Sequence, residues 1–411
     1  MVTKLDVFLA VGLFKDATSK ELLEKMQKKA PSYDSLYKML TKLQNEDLVQ
    51  HDSGKYSLSN NIKSRNLFWI VYYCFANNMD YNTVISEKTA EFVKIGLENE
   101  KITKLPFDPK TVQKLVWSLS KKGFLIIESR KPLSCIEVYS IFLEKLVKYF
   151  SGEVKIKNKN LVLALNENEI NSKLEKEFSK YKKLEKRGLE FDEVGFIHTS
   201  LSLEGNTLTL PETEKLLQKN ITPLSKPFKD AQQTIDYKKA LDEFLIVEKQ
   251  INLTNILDFH KTAMNSLKAG AGEIRKEPVK IKGNPNFKPI DWHLIPQALE
   301  NFFVRVNDFS NLKKAKATEL VEKAALLHAE FQHIHPFVDG NSRTSRAIFT
   351  KSLMDKGFPL IKIPIGFFDQ YMSQTKLSEK RNDPEFKALM KIIALENLKQ
   401  INEKIEHEAN F

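Results

Sequence analysis
The chain has 411 residues, of which 42% are apolar, 28% charged and 10% aromatic. That composition excludes a disordered chain and, at ~100 to 200 residues per domain, predicts two or three hydrophobic cores. Two cysteines, Cys74 and Cys135, exclude a disulfide framework or a Cys-rich zinc module and suit a reducing compartment. With 64 Lys and Arg against 53 Asp and Glu, the net charge of +11 favours an anionic partner such as nucleic acid, nucleotide or an acidic protein surface, without naming a chemistry. The most lipid-like run, Leu67 to Ala76, is about half the ~20 residues that a membrane span needs, and Met1 to Gly12 lacks the zones of a signal peptide, so a cytoplasmic protein is expected.

In chain order, Thr18 with Glu21 has the spacing of a capping box ahead of a helix, and Ser32 can cap a second on which Leu36, Leu40 and Leu43 recur at helical spacing. Leu48 to His51, the turn Asp52-Ser53-Gly54 and Lys55 to Leu58 alternate like a β-hairpin. Helix, turn, helix and hairpin in this order predict a winged-helix domain over residues 1–62. The same grammar returns at Asp108-Pro109, an N-cap and N1 pair before Val112, Leu115, Val116 and Leu119. Phe124 to Ile127 and Cys135 to Val138 would form its wing across Arg130-Lys131-Pro132, which predicts a second winged helix within 63–150. In these units Lys38 and Lys42, or Lys110, Lys114 and Lys121, could meet DNA phosphates; against this, neither recognition helix carries an Arg suited to bidentate guanine contact, and winged helices also serve as protein adaptors. Residues 151–189 read as a lysine- and glutamate-rich connecting segment with weak strand character at Leu161 to Leu165, ahead of a domain over 190–411.

Within that last domain, Ser200 and Glu204 stand one helical turn apart, Gly205 supplies a stop, and Thr209 with Glu212 can cap the next helix. Further on, Leu320, Ala324, Leu327 and Phe331 form the apolar stripe of a helix that should end at the pre-proline residue His335. His335-Pro336-Phe337-Val338-Asp339-Gly340-Asn341-Ser342-Arg343-Thr344-Ser345-Arg346 then forms a loop running into a new helix that stops near Gly357. A helix N-terminus is an anion site by construction, since its first N–H groups are unpaired and its dipole presents about half a positive charge. Gly340 lets backbone approach phosphate closely, Asn341 can cap the helix and orient the loop, and Arg343 and Arg346 offer forked donors. Asp339 is a lone carboxylate suited to Mg²⁺ shared with phosphates. His335, with an ordinary pKa of ~6.5, can take a proton from a hydroxyl. Together these parts specify phosphoryl or nucleotidyl transfer to a hydroxyl.

The segment resembles the signature of the Fic family, His-x-Phe-x-Asp/Glu-Gly-Asn-Gly-Arg-x-x-Arg. The resemblance implies a mainly α, Fic-type helical domain with a β-hairpin flap, preceded by the one or two winged-helix (α+β) domains. It also implies transfer of AMP from ATP to a Ser, Thr or Tyr hydroxyl of a target protein. By the same resemblance His335 is the general base, Asp339 the Mg²⁺ ligand, Gly340, Asn341, Ser342 and Arg343 phosphate contacts, Arg346 the γ-phosphate clamp, Phe337 a buried anchor and Tyr371 an adenine-side contact. Gly272, Ile274 and Arg275, in the stretch running to Ile281, resemble the flap onto which a target segment adds as a strand. Ser200 to Gly205 resembles the family's inhibitory motif, with an inhibitory helix near 195–205 whose Glu204 would pair with Arg346 and misalign bound ATP. Some relatives use the same glutamate to remove AMP.

Ser342 departs from the family's glycine; at positive φ it would cost about 1 kcal/mol or more, whereas at negative φ its hydroxyl could add a donor. His260 and His328 read as satisfied core residues on apolar helical faces. A zinc hydrolase built on His328, His333, His335 and Asp339 would leave Gly340 to Arg346 unexplained. The competing class is a winged-helix DNA-binding regulator whose Fic domain senses nucleotide with little or no transfer. Self-modification, a homodimer and DNA contact through the N-terminal half stay open at this level.

Overall fold
The computed structural model describes residues 2–26, 30–103, 105–157, 159–184, 192–223, 226–246, 248–266, 270–281, 284–377 and 380–408. They divide into two units, the first made of residues 1–118 and 127–158 and the second of 119–126 and 159–411.

The first unit begins with helices α1 (Lys4–Phe14), α2 (Ser19–Met26) and α3 (Tyr33–Asn45), followed by strands β1 (Val49–Asp52) and β2 (Lys55–Leu58). Each helix starts where a side chain can take the orphan N–H groups. Thr3 and Asp6 form a reciprocal capping box, Thr18 and Glu21 bond in the same way, and Ser32 accepts from Ser35 N at 3.3 Å. Leu36, Leu40 and Leu43 of α3 are fully buried, and α3 packs on α1. β1 and β2 pair antiparallel with Val49 opposite Leu58, across the left-handed pair Ser53 and Gly54. Lys38 and Lys42 are exposed on α3.

Helices α4 (Ile62–Ala76), α5 (Tyr81–Val84), α6 (Glu87–Glu98) and α7 (Pro109–Ser120), strands β3 (Leu125–Arg130) and β4 (Leu133–Glu137), and helix α8 (Ile141–Ser151) follow. Asp108 caps α7 through Thr111 N at 3.0 Å, and Lys110 and Lys114 on that helix are exposed. β3 and β4 form a two-stranded sheet. Residues 1–118 therefore fall in one unit, in which α8 packs on α4 and α6 and Phe142 stacks on Tyr73 at 4.5 Å.

The second unit contains α9 (Leu161–Ala164), α10 (Glu167–Leu184), α11 (Glu193–Ser202), α12 (Leu210–Lys219), α13 (Phe228–Phe244) and α14 (Leu253–Ala263). It continues with α15 (Ile295–Ser310), α16 (Ala317–Ile334), α17 (Asn341–Met354), α18 (Phe368–Thr375) and α19 (Asp383–Glu408). Leu161 to Leu165, expected as a weak strand, forms the single turn α9. Asn160 caps it through Val162 N at 3.0 Å, and Gln370 accepts from Leu161 N at 3.3 Å, so the backbone is satisfied without a strand partner. The end of the expected connecting segment, 185–189, lies outside the described residues. Helix α16 is central: it packs on α10, α15, α17 and α19 and buries Val321, Ala324 and Phe331 completely. No described helix is long and apolar enough to cross a membrane.

Candidate active site
Helix α16 ends as Pro336 requires. The residue before a proline is disfavoured in helical backbone, and His335 turns into the left-handed region at φ 51°, ψ 57°. That is a strained place for a histidine, and three bonds hold it there: its N–H donates to Phe331 O at 3.0 Å, its carbonyl accepts from Arg275 Nε at 2.7 Å, and its Nδ1 lies 3.1 Å from Gln332 O. A carbonyl only accepts, so Nδ1 carries the proton and Nε2 keeps its lone pair. Burial, opposed in part by the Gln332 bond, lowers the ring's pKa to about 4, which leaves it neutral and basic at neutral pH.

Neutral groups fix the rest of the loop. Asn341 Oδ1 accepts from Phe337 N at 2.9 Å and its Nδ2 donates to Phe337 O at 2.8 Å. Both ends of the amide thus close the loop on itself, with one Nδ2 hydrogen left over. Asn341 does not cap α17. Gly340 occupies the N-cap at φ 84°, and a Cβ there would stand 2.8 Å from Met264 Sδ and 2.9 Å from His260 Nε2. His260 accepts from Gly272 N at Nδ1 (2.8 Å), donates from Nε2 to Asp339 O (2.8 Å) and stacks on buried Phe337 at 3.6 Å. It is buried as expected, but it also ties the 272 segment to the loop, a task that its helical spacing does not reveal.

The charged groups behave differently. Helical bonding in α17 begins with Thr344 N to Gly340 O, so the N–H groups of residues 341–343 precede the ladder and face the loop. Arg343 is 3% exposed, touches Asp339 Oδ1 at 3.3 Å, and leaves its Nε and Nη1 without a protein partner. Arg346, 4% exposed, leaves Nη1 unpaired. Buried guanidinium nitrogens without acceptors are costly, and an anion is the group that satisfies them. Asp339 keeps 43% of its side chain exposed, and no three His, Cys, Asp or Glu side chains converge among the described residues. A single exposed carboxylate beside a phosphate site fits Mg²⁺, which brings its own waters, and does not fit zinc. His328, from the zinc alternative, lies fully buried against Tyr371 and Phe386.

Ser200 and Glu204 reach the same place from α11. Arg346 donates from Nε to Ser200 Oγ (2.8 Å), and from Nη2 to Ser200 O (2.9 Å) and Glu204 Oε1 (2.8 Å). Tyr237 OH stands 2.9 Å from Ser200 Oγ. Glu204 Oε2 accepts from Lys376 Nζ at 3.0 Å, and Lys376 also donates to Leu203 O at 3.0 Å. Burial pushes the Glu204 carboxyl up, but Arg346, Lys376 and Arg343 outweigh it and hold the group at about 2. Gly205 follows at φ 87°, the left-handed turn that ends the segment. Neither Lys376 nor Tyr237 belongs to a sequence pattern; they meet the motif only through the fold.

The expected flap forms no strand ladder among its described residues; Glu273 to Lys280 carries none, and a lone bridge joins Ile281 to Asn284. Arg275 explains this, because its N–H bonds Pro336 O at 2.8 Å and its buried guanidinium bonds the carbonyls of His335, Glu277 and Ile290. Arg275 anchors the loop that follows α16, while Ile274 stays half-buried. Tyr371, expected near adenine, is 1% exposed with its hydroxyl 2.8 Å from His328 Nε2, and it acts on Arg346 from that position. Of the two conformations open to Ser342, the structure has helical backbone without positive φ, which carries no strain, and its hydroxyl accepts from Gln332 Nε2 at 3.1 Å.

Residues 250–353 match the model of the Fic/DOC family. The "Protein adenylyltransferase Fic" of Drosophila grimshawi is 29% identical over 202 residues, 48% of this chain and 40% of that protein. Its namesake from Drosophila mojavensis is also 29% identical, over 48% of this chain and 38% of its own length. The chain thus spans about two fifths of the length of these curated relatives. Among solved structures, Fic-1 from C. elegans is similar with a TM-score of 0.52 at 18% identity, covering 64% of this chain and 82% of that one. A Fic family protein from Desulfovibrio desulfuricans G20 gives 0.50 at 17% identity, over 58% and 74%. At these identities the structures speak for the fold. The chain carries a Fic domain, and the loop that gathers His335, Asp339, Arg343 and Arg346 lies inside it.

Proposed function
We propose that the chain is a protein adenylyltransferase that moves AMP from ATP to a Ser, Thr or Tyr hydroxyl of a protein target and is restrained by Glu204. The observation that carries this reading is a neutral imidazole with a free Nε2 beside buried guanidinium nitrogens that lack acceptors, at the start of a helix. The α17 N-terminus and Arg343 would receive the nucleotide phosphates, and Arg346 the terminal one. His335 Nε2 takes the proton of the target hydroxyl as its oxygen bonds to the α-phosphorus. The bond from that phosphorus to the bridging oxygen breaks, and pyrophosphate leaves with the electron pair. Mg²⁺ held by Asp339 and the phosphates would neutralise charge on the leaving group.

Glu204 opposes this by occupying Arg346. A buried Arg–carboxylate pair is costly to leave half-made, so the terminal phosphate must replace the carboxylate before Arg346 can position ATP. The closeness of Glu204 to the same pocket also supports a role in orienting water for AMP removal. The test is incubation of the chain with α-labelled ATP, Mg²⁺ and a cell lysate. A covalent AMP adduct should form with Glu204→Gly and disappear with Glu204→Gly/His335→Ala. ATP binding with no adduct in either variant would favour the nucleotide-sensing regulator instead. Release of AMP from the modified protein by wild type, but not by Glu204→Gly, would establish removal.

A further inference from the structure
Lys376 lies at the C-terminal end of α18, and its side chain is only 15% exposed. The two oxygens of Glu204 are divided between two cations: Oε1 is 2.8 Å from Arg346 Nη2 and Oε2 is 3.0 Å from Lys376 Nζ. Arg343 also acts on this carboxylate through its charge. A largely buried cluster of Arg343, Arg346 and Lys376 needs an anion to persist, because unscreened like charges repel strongly where water is excluded. In the resting chain that anion is Glu204. A carboxylate spanned by two cations has the charge and donor geometry of a phosphate oxygen edge, so whatever displaces it inherits both partners.

We propose that Lys376 is a nucleotide-binding residue: with Arg346 it holds the terminal phosphate of a nucleoside triphosphate in the place that Glu204 takes at rest. The inference rests on the adenylyltransferase reading and adds a selectivity to it. Arg343 and the α17 N-terminus serve the phosphates common to di- and triphosphate, whereas Lys376 answers only to the last one. A diphosphate then binds without lifting the brake, for a chemical reason. With a diphosphate bound, nothing replaces Glu204, and Lys376 and Arg346 keep the carboxylate. Lys376 therefore decides which nucleotide can lift the brake.

Calorimetric titration of α,β-methylene ATP and α,β-methylene ADP into the full chain, with Mg²⁺, tests this without turnover. Glu204→Gly should prefer the triphosphate. Glu204→Gly/Lys376→Met should bind the triphosphate about tenfold more weakly and the diphosphate unchanged within about twofold, the loss expected for one charge-assisted bond. Lys376→Arg in the same background should restore most of the preference. Equal weakening for both nucleotides would mark Lys376 as merely structural and overturn the proposal, as would no weakening at all. If Glu204→Gly itself binds neither nucleotide, the nucleotide reading of the whole site fails. Thermal melts confirm folding, and Lys376→Gln takes the same comparison should the methionine variant not fold.

Discussion
Replacing Glu204 by glutamine preserves its shape and removes its charge. The site holds the carboxyl at about 2 where 4.5 is ordinary: burial opposes ionisation, and Arg346, Lys376 and Arg343 more than offset it. At about 1.36 kcal/mol per pH unit, the charged form is favoured by about 3 kcal/mol, roughly a hundredfold. The Arg346 and Glu204 side chains are 4% and 14% exposed, so water and salt screen little of this. The carboxyl pKa is depressed in the folded state, so the unfolded chain binds the extra proton. The stabilisation is therefore complete above the ordinary value near 4.5 and is lost as pH falls toward 2. At pH 7 Glu204→Gln should accordingly lower the unfolding free energy by about 3 kcal/mol in urea denaturation. Under the proposed function ATP must displace the same interaction, so AMP transfer at subsaturating ATP should rise by up to about a hundredfold in the same preparation. A variant that loses stability without gaining transfer would show a structural ion pair that does not restrain catalysis. A variant unchanged in both would refute the electrostatics.

Four other outcomes follow from the geometry. In Glu204→Gly, the transfer rate should be level from about pH 8 to 5 and fall with a limb at or below about 4, because burial lowers the His335 pKa to about 4, loss of the Glu204 charge lowers it further, and only the neutral ring accepts a proton; a limb at about 6.5 would contradict that burial. Burial lowers His198 and His260 to about 4 and His328 to about 3, so the unfolded chain takes up protons that the folded one refuses, and the melting temperature should decline from about pH 6.5 toward 4. Arg275→Ala strips the carbonyls of His335, Glu277 and Ile290 of their donor, which should cost about 2 to 4 kcal/mol in denaturation and lower kcat; Arg275→Lys, lacking the fork, should not rescue it. Ser342→Gly removes one 3.1 Å bond from Gln332 and should change transfer by less than about threefold while costing about 1 kcal/mol of stability.

What could be read from the sequence was what is local. Helix starts at Thr18, Ser32, Asp108 and Thr209 depend on side chains reaching N–H groups three residues away, and each is found. The stop at His335 depends on its proline neighbour, and the Ser200/Glu204 pair on one helical turn; both hold in the structure. What escaped depends on contacts far apart in the chain. Arg275 read as a flap residue because its spacing says nothing of the carbonyls 60 residues away that it satisfies. Lys376 stands 172 residues from Glu204 in an unremarkable polar run. Asn341 has the chemistry of a phosphate ligand and of a loop lock alike, and the lock on the Phe337 backbone could not be read from its spacing.

The two sets of residues divide the work of the site. Asn341, His260 and Gln332, all neutral, pair almost entirely with loop and helix groups, and Arg275 spends its charge on carbonyls. These fix where His335 and the α17 N-terminus stand before any ligand arrives. Arg343 and Arg346 keep unpaired nitrogens, and Arg346 and Lys376 share the Glu204 carboxylate beside their bonds to Ser200 and to Leu203 O. A site built this way does not need a large movement to switch, because its scaffold is already set and only the occupant of the cationic cluster changes. Under the proposed function, the stability that Glu204 adds to the resting fold and the barrier it raises to ATP are then one free energy seen from two sides. Any substitution that weakens the first without loosening the scaffold must lower the second by a comparable amount.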